Sequence, residues 1–439
     1  MMMMGVRELL ASTLAITLPT LTRRMARKGK PGLKECSVSS ASAPVFTHEH
    51  PLRVHVLRCL SSENLLAFQS RLSSNVVVTC LTQEEHDRAV KGEVEDATEL
   101  LPSTREEVHI IVEGFLPLEI VEAILECAKP HCFLIPYAGV SERLRPVLEK
   151  AGVSVFNSHH NAPMTAELCI SLILAASKQT VTADAQLRAN SWRGRGVPLA
   201  GSPVPTPVLP TLTLQGKTCC VLGIRGKIGR RVARAMAAME MDVVGTSGSV
   251  RLTTGASFAT LDLGGGETAR VYPATQTIDA LRGADVVVVA VPDTPETRGI
   301  IGEEEIQAMH GGSETKQCVL VNVGRGVCCD GDAVHRALEN GELFAFASDV
   351  WYTYPKTWDE AANCPPVTPS GLSFATGIAG SKSTLSSHRG GSPGQAETEM
   401  RRIGAMAAAF NYAASAGDAA ALASGPDSLI GRVSLAKGF

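Results

Sequence analysis

The sequence lacks any broad excess of basic charge. Its 439 residues carry a formal net charge of −3, so the positive face with which proteins grip nucleic acid is missing as a whole-chain property, and no nucleic-acid partner is expected. It also lacks paired Cys-x-x-Cys motifs. The twelve cysteines are scattered, which argues against a disulfide framework or a zinc site. Several lie inside apolar runs (Cys169, Cys219, Cys220) and read as reduced, buried thiols. The neighbours Cys219/Cys220 and Cys328/Cys329 would, on a strand, point to opposite faces and serve packing rather than metal binding. Beyond the N-terminal segment, no apolar run reaches the roughly 18 residues that span a bilayer. The mature chain is therefore expected to be soluble.

What is present is an ordinary globular composition, 44% apolar and 19% charged, in a chain long enough for two domains. Residues 1–45 stand apart, with seven Lys or Arg against two acids and abundant Ser, Thr and Ala. This pattern is that of an organelle transit peptide, chloroplast or mitochondrial. A secretory signal is the rival, but the apolar stretch is interrupted by Thr and Pro and the basic cluster Arg23, Arg24, Arg27 follows it.

From about Leu52 the short β-branched runs VHVLRC, VVVTCL, VHIIVEG, CFLIPYAGV and VSVFNS alternate with helix-like segments such as Leu118 to Ala128. Alternating βα units predict a parallel sheet covered on both faces. Gly114 and Gly139 fall at strand ends, where open α/β sheets place ligands and where turn glycines are also common. One long helix is expected from near Pro163 to Trp192, and an extended loop over Val197 to Pro210, which holds five prolines. A second βα series follows, beginning at Thr218. Residues 248–270, rich in Gly, Thr and Ser, are expected to form a loop. Thr398 to Ala416 reads as a closing amphipathic helix that ends near Gly417.

The stretch TCCVLGIRGKIGRRVARAMAAMEMDVV (Thr218 to Val244) combines strand, glycine turn, helix and strand. Glycines let backbone approach a pyrophosphate, and a helix N-terminus offers it unpaired N–H groups. The spacing is irregular, because the usual G-x-G-x-x-G pattern would place a glycine at 224, where the chain has Ile224. Two further residues are candidates for chemistry. Arg325, just past the buried run CVLVNVG, could hold a carboxylate through two parallel hydrogen bonds, although an arginine closing a surface turn has the same local sequence. His388, in LSSHRGG, could move one proton near neutral pH, or could merely be solvated.

Taken in order, the motifs FNSHHNAPMTAE, LRANSW, the glycine turn, ADVVVVAVPDTPETRGII, VNVGRG, SDVWYTYP and SHRGG resemble those of the D-isomer-specific 2-hydroxyacid dehydrogenases, a family that includes formate dehydrogenases and C-terminal-binding-protein corepressors. The resemblance covers residues from about 107 to the C-terminus. It implies an α/β fold of two doubly wound parallel-sheet domains, with a Rossmann-type cofactor domain (161–389) inserted in a discontinuous flavodoxin-like substrate domain (46–160 and 390–439). It implies a homodimer, a 2-oxoacid or 2-hydroxyacid substrate, and an active site between the domains. By the same resemblance Arg325 binds the substrate carboxylate and carbonyl, His388 is the acid/base, and backbone N–H groups at Gly139 and Val140 hold the carboxylate. Gly223, Gly226, Lys227, Ile228, Gly229, Val291, Pro292 and Thr297 match cofactor contacts, and Asp349 matches an acid that orients the nicotinamide amide.

Two departures bear on function. Tyr354 stands where the family usually carries a glutamate beside the histidine, so it can orient His388 but adds no charge to favour the imidazolium. The position 18 residues past Gly229, normally an acid that binds the ribose 2′-hydroxyl, is Ser247. With Ser249 and Arg251 near it in sequence, this leans the site toward NADP, with NAD the alternative. The expected activity is NAD(P)-dependent interconversion of a 2-oxoacid and a D-2-hydroxyacid, as reduction of a glyoxylate or hydroxypyruvate type of acid. The alternative is a catalytically weak or inactive dinucleotide-sensing or scaffolding member. Formate oxidation is a third reading, weakened by the absence of the glutamine that accompanies that chemistry.

Overall fold

The computed structural model describes residues 46–104, 107–141, 143–192, 210–311, 313, 318–391, 394–425 and 428–435. The N-terminal segment read as a transit peptide, and all but Pro210 of the proline-rich loop, lie outside the described residues.

Two sheets organise the chain. The first holds β1 (Leu52–Val56), β2 (Val76–Cys80), β3 (Ile110–Val112), β4 (Cys132–Ile135) and β5 (Ser154–Ser158). The second holds β6 (Thr218–Leu222), β7 (Asp242–Ser247), β8 (Ala259–Gly264), β9 (Glu267–Pro273), β10 (Val286–Val289), β11 (Cys318–Asn322), β12 (Leu343–Ser348) and β13 (Ser383–Leu385). A last short strand, β14 (Ile430–Arg432), returns to the first sheet and pairs antiparallel with β5. The sheet orders are β14-β5-β4-β3-β1-β2 and β13-β12-β11-β10-β6-β7-β9-β8. Both reverse direction beside their first strand, which is the doubly wound pattern, and the crevice at that reversal is where such sheets bind ligands.

The central strands are apolar at every position because helices cover both faces. All of β10 (VVVV) and β11 (CVLVN) is buried. Within β6, Cys219 joins the core on one face of the second sheet and Cys220 the core on the other, as alternation along a strand requires. Burial pushes the Cys219 thiol up to about 12. Cys328 and Cys329 differ from the strand expectation: the first ends a single 3-10 turn, Gly326–Cys328, the second follows it, and both pack into one core. The cysteines of the described residues are all free thiols.

The closing helix, Gln395–Ala416, buries Ile403, Met406, Ala407, Phe410, Ala413 and Ala414. These positions recur every three or four residues and form one stripe against the first sheet. Phe410 stacks on Phe68 at a ring separation of 6.0 Å, and burying such a ring contributes about 2 kcal/mol. Gly417 ends the helix at φ 67, a left-handed cap that glycine adopts without strain.

Two expectations are corrected. The helix expected from Pro163 to Trp192 is two helices, Ala162–Lys178 and Thr180–Arg188, because Gln179 takes a left-handed conformation (φ 52) and stops the first. The first packs against β11 and β12, inside the second sheet's core. Residues 248–270, expected as a loop, include β8 and the start of β9, which pair antiparallel as a hairpin. Their apolar residues are thin, but Leu263 and Ala269 reach the core while the facing positions stay exposed. The turn Gly264–Gly266 has three successive positive φ values, which its glycines permit. Among the described residues no helix is long and apolar enough to cross a membrane.

Candidate active site

The ends of β6, β10 and β11 converge. A Cβ on Gly223 would lie 2.7 Å from the Ala290 carbonyl oxygen, and one on Gly324 would lie 2.6 Å from that of Val291. Neither leaves room for a side chain. Gly223 also has φ +86, and a Cβ on Gly229 would fall 2.3 Å from the Gly223 carbonyl oxygen. Glycine is therefore required where strand, turn and helix touch. The irregular spacing is absorbed by Ile224, which is fully buried in the core against Gly245, while Arg225 is left exposed at the tip. The amides of Gly223 and Ile224 donate to Thr246 O, and that of Gly226 to Gly223 O.

The helix that follows, Gly229–Ala238, has no side-chain cap at Ile228. The amides of Arg225, Ile228 and Gly229 find no protein acceptor among the described residues. An uncapped helix start behind a tight glycine turn suits a pyrophosphate, so the residues present fit a dinucleotide. Lys227 is turned elsewhere. Its ammonium donates to the Ser428 carbonyl, tying the glycine turn to the chain just before β14.

At the end of β7, Ser247 and Ser249 hydrogen-bond through their hydroxyls at 3.0 Å. Arg251 folds over the same turn, its Nη1 donating to Gly248 O and Val250 O. The structure thus gathers two hydroxyls and a guanidinium there. In the segment after β10, the Thr297 hydroxyl donates to Pro292 O at 2.6 Å and accepts from Thr294 N at 2.8 Å, which closes a compact loop beside Val291.

Arg325 leaves the end of β11 exposed, with Nη1 donating to Gly324 O at 2.8 Å. It meets the first sheet's edge: a Cβ on Gly139 (φ +92) would lie 4.0 Å from Arg325 Nη2. Gly139, Val140 and Arg325 line one cavity of about 670 Å³ that also takes in Glu113 and Tyr137.

His388 sits at φ 60, a strained conformation for a residue with a side chain, and two groups hold its loop. Asp349 is buried at 3% exposure; its Oδ1 accepts from the Ser386 hydroxyl and from Arg389 N (2.8 Å), and its Oδ2 from Gly390 N (2.9 Å). The Trp351 indole donates to Ser386 O at 2.8 Å. A Cβ on Gly390 would come within 2.9 Å of Asp349 Oδ2, so glycine there lets the backbone reach the carboxylate. Both Asp349 oxygens are thus engaged by the histidine loop.

The Tyr354 hydroxyl lies 3.0 Å from His388 Nδ1 and accepts from Trp351 N at 2.9 Å. Burial raises the phenol above its usual range, with the Trp351 N–H and the nearby Arg325 charge opposing. It therefore stays protonated at neutral pH. With one lone pair taken by Trp351 N–H, the hydroxyl can still donate to an unprotonated Nδ1 or accept from Nδ1–H, so it holds the ring in either protonation state. Sequence reasoning did not single out Trp351, Ser386, Glu113 or Tyr137. For Glu113 a signal existed: an acid closing the apolar run VHIIVEG.

Sheets of this order, with a glycine turn at the reversal point and a cleft between them, define a dinucleotide-binding α/β protein. Residues 170–370 match the family description "D-isomer specific 2-hydroxyacid dehydrogenase, NAD binding domain". Glyoxylate reductase from Aeropyrum pernix is 33% identical over 198 residues, covering 44% of this chain and 50% of the relative. D-3-phosphoglycerate dehydrogenase from Methanocaldococcus jannaschii is 28% identical over 297 residues, covering 64% and 50%. The chain spans about half the length of the curated relatives it matches. Among solved structures, D-lactate dehydrogenase with NAD+ from Lactobacillus jensenii aligns with a TM-score of 0.53 at 15% identity, covering 84% of this chain and 98% of that one; at that identity the likeness concerns the fold alone. Residues 170–370 are thus similar to the NAD-binding domain of the D-isomer-specific 2-hydroxyacid dehydrogenases, which supports a nicotinamide dinucleotide cofactor.

Proposed function

We propose that this protein is an NAD(P)-dependent oxidoreductase that reduces a small 2-oxoacid to the D-2-hydroxyacid, and runs the reverse reaction. Residues 46–160 and 390–439 form the substrate side and 161–389 the cofactor side. The observation that carries the reading is the meeting of Arg325 with Gly139 at the cavity, beside the hydrogen-bonded Tyr354–His388 pair.

The turn Gly223–Gly229 would hold the pyrophosphate, and the bound nicotinamide would supply or accept hydride. Arg325 would pair with the substrate carboxylate and polarise the carbonyl oxygen, on which charge develops as hydride arrives. Amides at Gly139 and Val140 would hold the carboxylate from the opposite side. His388, as the imidazolium with its Nδ1–H donating to the Tyr354 oxygen, would give its Nε2 proton to the forming alkoxide and be left as the neutral ring. On the reverse path Nε2 takes the proton back. Asp349 keeps the histidine loop in place for both directions.

The cluster of Ser247, Ser249 and Arg251, where no carboxylate would repel a 2′-phosphate, favours NADP over NAD. Relatives called glyoxylate reductase point to a glyoxylate or hydroxypyruvate type of acid. The test is NADPH and NADH consumption by the purified chain across a panel of 2-oxoacids, with cofactor binding read separately by NADPH fluorescence. Turnover faster with NADPH is expected. Cofactor binding without turnover of any oxoacid would instead identify a dinucleotide-sensing protein.

A further inference from the structure

The glycine turn departs from regular spacing by one residue, and the structure identifies which one. Ile224 is fully buried, and a Cβ on Gly226 or Gly229 would lie 3.0 or 2.3 Å from the Gly223 carbonyl oxygen. Each of these positions is fixed by its contacts. Arg225 is exposed, and its side chain makes no hydrogen bond or ion pair among the described residues. Without Arg225 the turn would read Gly223-Ile224-Gly226-Lys227-Ile228-Gly229, which is the regular G-x-G-x-x-G. The extra residue is an unpartnered arginine at the tip.

Its place in the fold is beside the end of β7. The amides of Gly223 and Ile224 both donate to Thr246 O, at 3.0 and 3.1 Å. Arg225 is one Cα step beyond Ile224 and Ser247 one beyond Thr246, each step being about 3.8 Å. A side chain as long as arginine's therefore reaches the turn formed by Ser247, Ser249 and Arg251. Arg251 commits only Nη1, to Gly248 O and Val250 O, and its Nε and Nη2 have no acceptor among the described residues. No acid offsets the two guanidiniums locally. Between residues 223 and 252 the acids are Glu240 and Asp242, both at the opposite end of β7, where Glu240 accepts from Gln215 and Asp242 pairs with Arg270. On the other side Ser247 pairs with Pro273, and residues 273–276 carry no acid. Two like charges without a counter-charge repel each other until an anion joins them.

We propose that Arg225 is a specificity-determining residue for the dinucleotide: its guanidinium pairs with the 2′-phosphate of NADP(H) from the glycine-turn side, while Arg251 approaches from the end of β7. One inserted residue then sets the cofactor preference. The inference rests on the reading of this crevice as a nicotinamide dinucleotide site with the adenosine ribose at Ser247. A phosphate accepts two parallel hydrogen bonds from a guanidinium. A 2′-hydroxyl offers the same side chain neither charge nor a second acceptor, so the gain falls on NADP(H) alone. Because Arg225 is exposed, its pairing is screened by salt.

The test measures Kd for NADPH and NADH by fluorescence, and for adenosine 2′,5′-bisphosphate and 5′-AMP by competition, in the wild type, Arg225→Ala, Arg225→Lys and a chain lacking Arg225. The wild type is expected to bind NADPH more tightly than NADH, and the bisphosphate more tightly than 5′-AMP. Arg225→Ala should weaken NADPH and the bisphosphate about tenfold while leaving NADH and 5′-AMP within about twofold. It should also flatten the fall of NADPH affinity with rising salt. Arg225→Lys, which keeps the charge but not the planar fork, should weaken NADPH by about threefold. The chain lacking Arg225 regains regular spacing and should match Arg225→Ala toward NADPH while binding NADH as the wild type does. Should it fail to fold, Arg225→Ala, a change at an exposed position, carries the comparison. Equal wild-type affinity for NADPH and NADH, equal weakening of every ligand in Arg225→Ala, or no weakening at all overturns this inference and leaves the dinucleotide site standing. A wild type that binds neither dinucleotide removes both.

Discussion

Replacing Asp349 with asparagine separates two roles for this residue. In the structure its carboxylate is the acceptor for two backbone amides and a hydroxyl of the histidine loop, at 2.8 Å from Arg389 N and 2.9 Å from Gly390 N. Asparagine keeps the shape but must turn its NH2 toward one of the two oxygen positions. The Ser386 hydroxyl can rotate to accept; a backbone N–H cannot. One buried amide is therefore left facing a donor, at a cost of about 1–3 kcal/mol, and the other loses the charge assistance of its hydrogen bond. The total comes to about 2–4 kcal/mol. Because the loop also sets His388, a displacement on the order of 1 Å would lower kcat about 100-fold. Urea unfolding reads the first effect as a lower midpoint at unchanged slope. Steady-state kinetics read the second, and hydrogen exchange at Arg389 and Gly390 should accelerate. If Asp349→Asn unfolds at the wild-type urea concentration and only its NADPH affinity falls, the clamp argument is refuted and the residue acts on the cofactor instead.

Three further outcomes follow from other groups. Tyr354→Phe removes the hydrogen-bond partner of His388 Nδ1 and should lower kcat about tenfold with little change in KM, whereas Tyr354→Glu should extend activity to higher pH, since a carboxylate favours the imidazolium; equal pH profiles for wild type and Tyr354→Glu would count against the pairing. Ser247→Asp should turn the cofactor preference toward NADH, read as the ratio of kcat/KM values, because a carboxylate repels a 2′-phosphate and accepts from a 2′-hydroxyl. Burial holds both His159 and His160 at about 4, against 6.5 for a free histidine, with Lys227 adding to the effect on the first and Arg402 and His159 on the second. Unfolded chains then bind more protons than folded ones between those values, so stability is full above about pH 6.5 and declines as pH falls toward 4. Urea midpoints across that range should show the decline, and His160→Gln should flatten part of it; an unchanged slope would contradict it.

Much of the fold was legible because the signals were local and repeated. Buried β-branched runs such as Val286–Val289, set between helices, need a parallel sheet covered on both faces, and Gly223 and Gly229 sit where contacts exclude any side chain. The closing helix was readable from its apolar spacing. The helix break at Gln179 was not, since a left-handed residue without glycine or proline leaves no mark in composition. The hairpin of β8 and β9 was hidden because its exposed positions are polar and its turn is built from glycines. At the candidate site the motifs nominated Arg325, His388 and Tyr354, but only the fold could bring the Gly139 turn to Arg325 across more than a hundred residues of chain. The acceptor role of Asp349 toward the histidine loop depends on backbone geometry that no spacing encodes.

The central claim is that His388, oriented by Tyr354 and set beside Arg325, moves the proton in a nicotinamide-linked reduction. Its most direct test is kcat for NADPH-dependent glyoxylate reduction in the wild-type chain and in His388→Ala, with NADPH affinity measured in both. The account predicts turnover in the wild type, a fall in kcat of at least about 100-fold in the variant, and unchanged NADPH affinity. Equal kcat in the two proteins would contradict it.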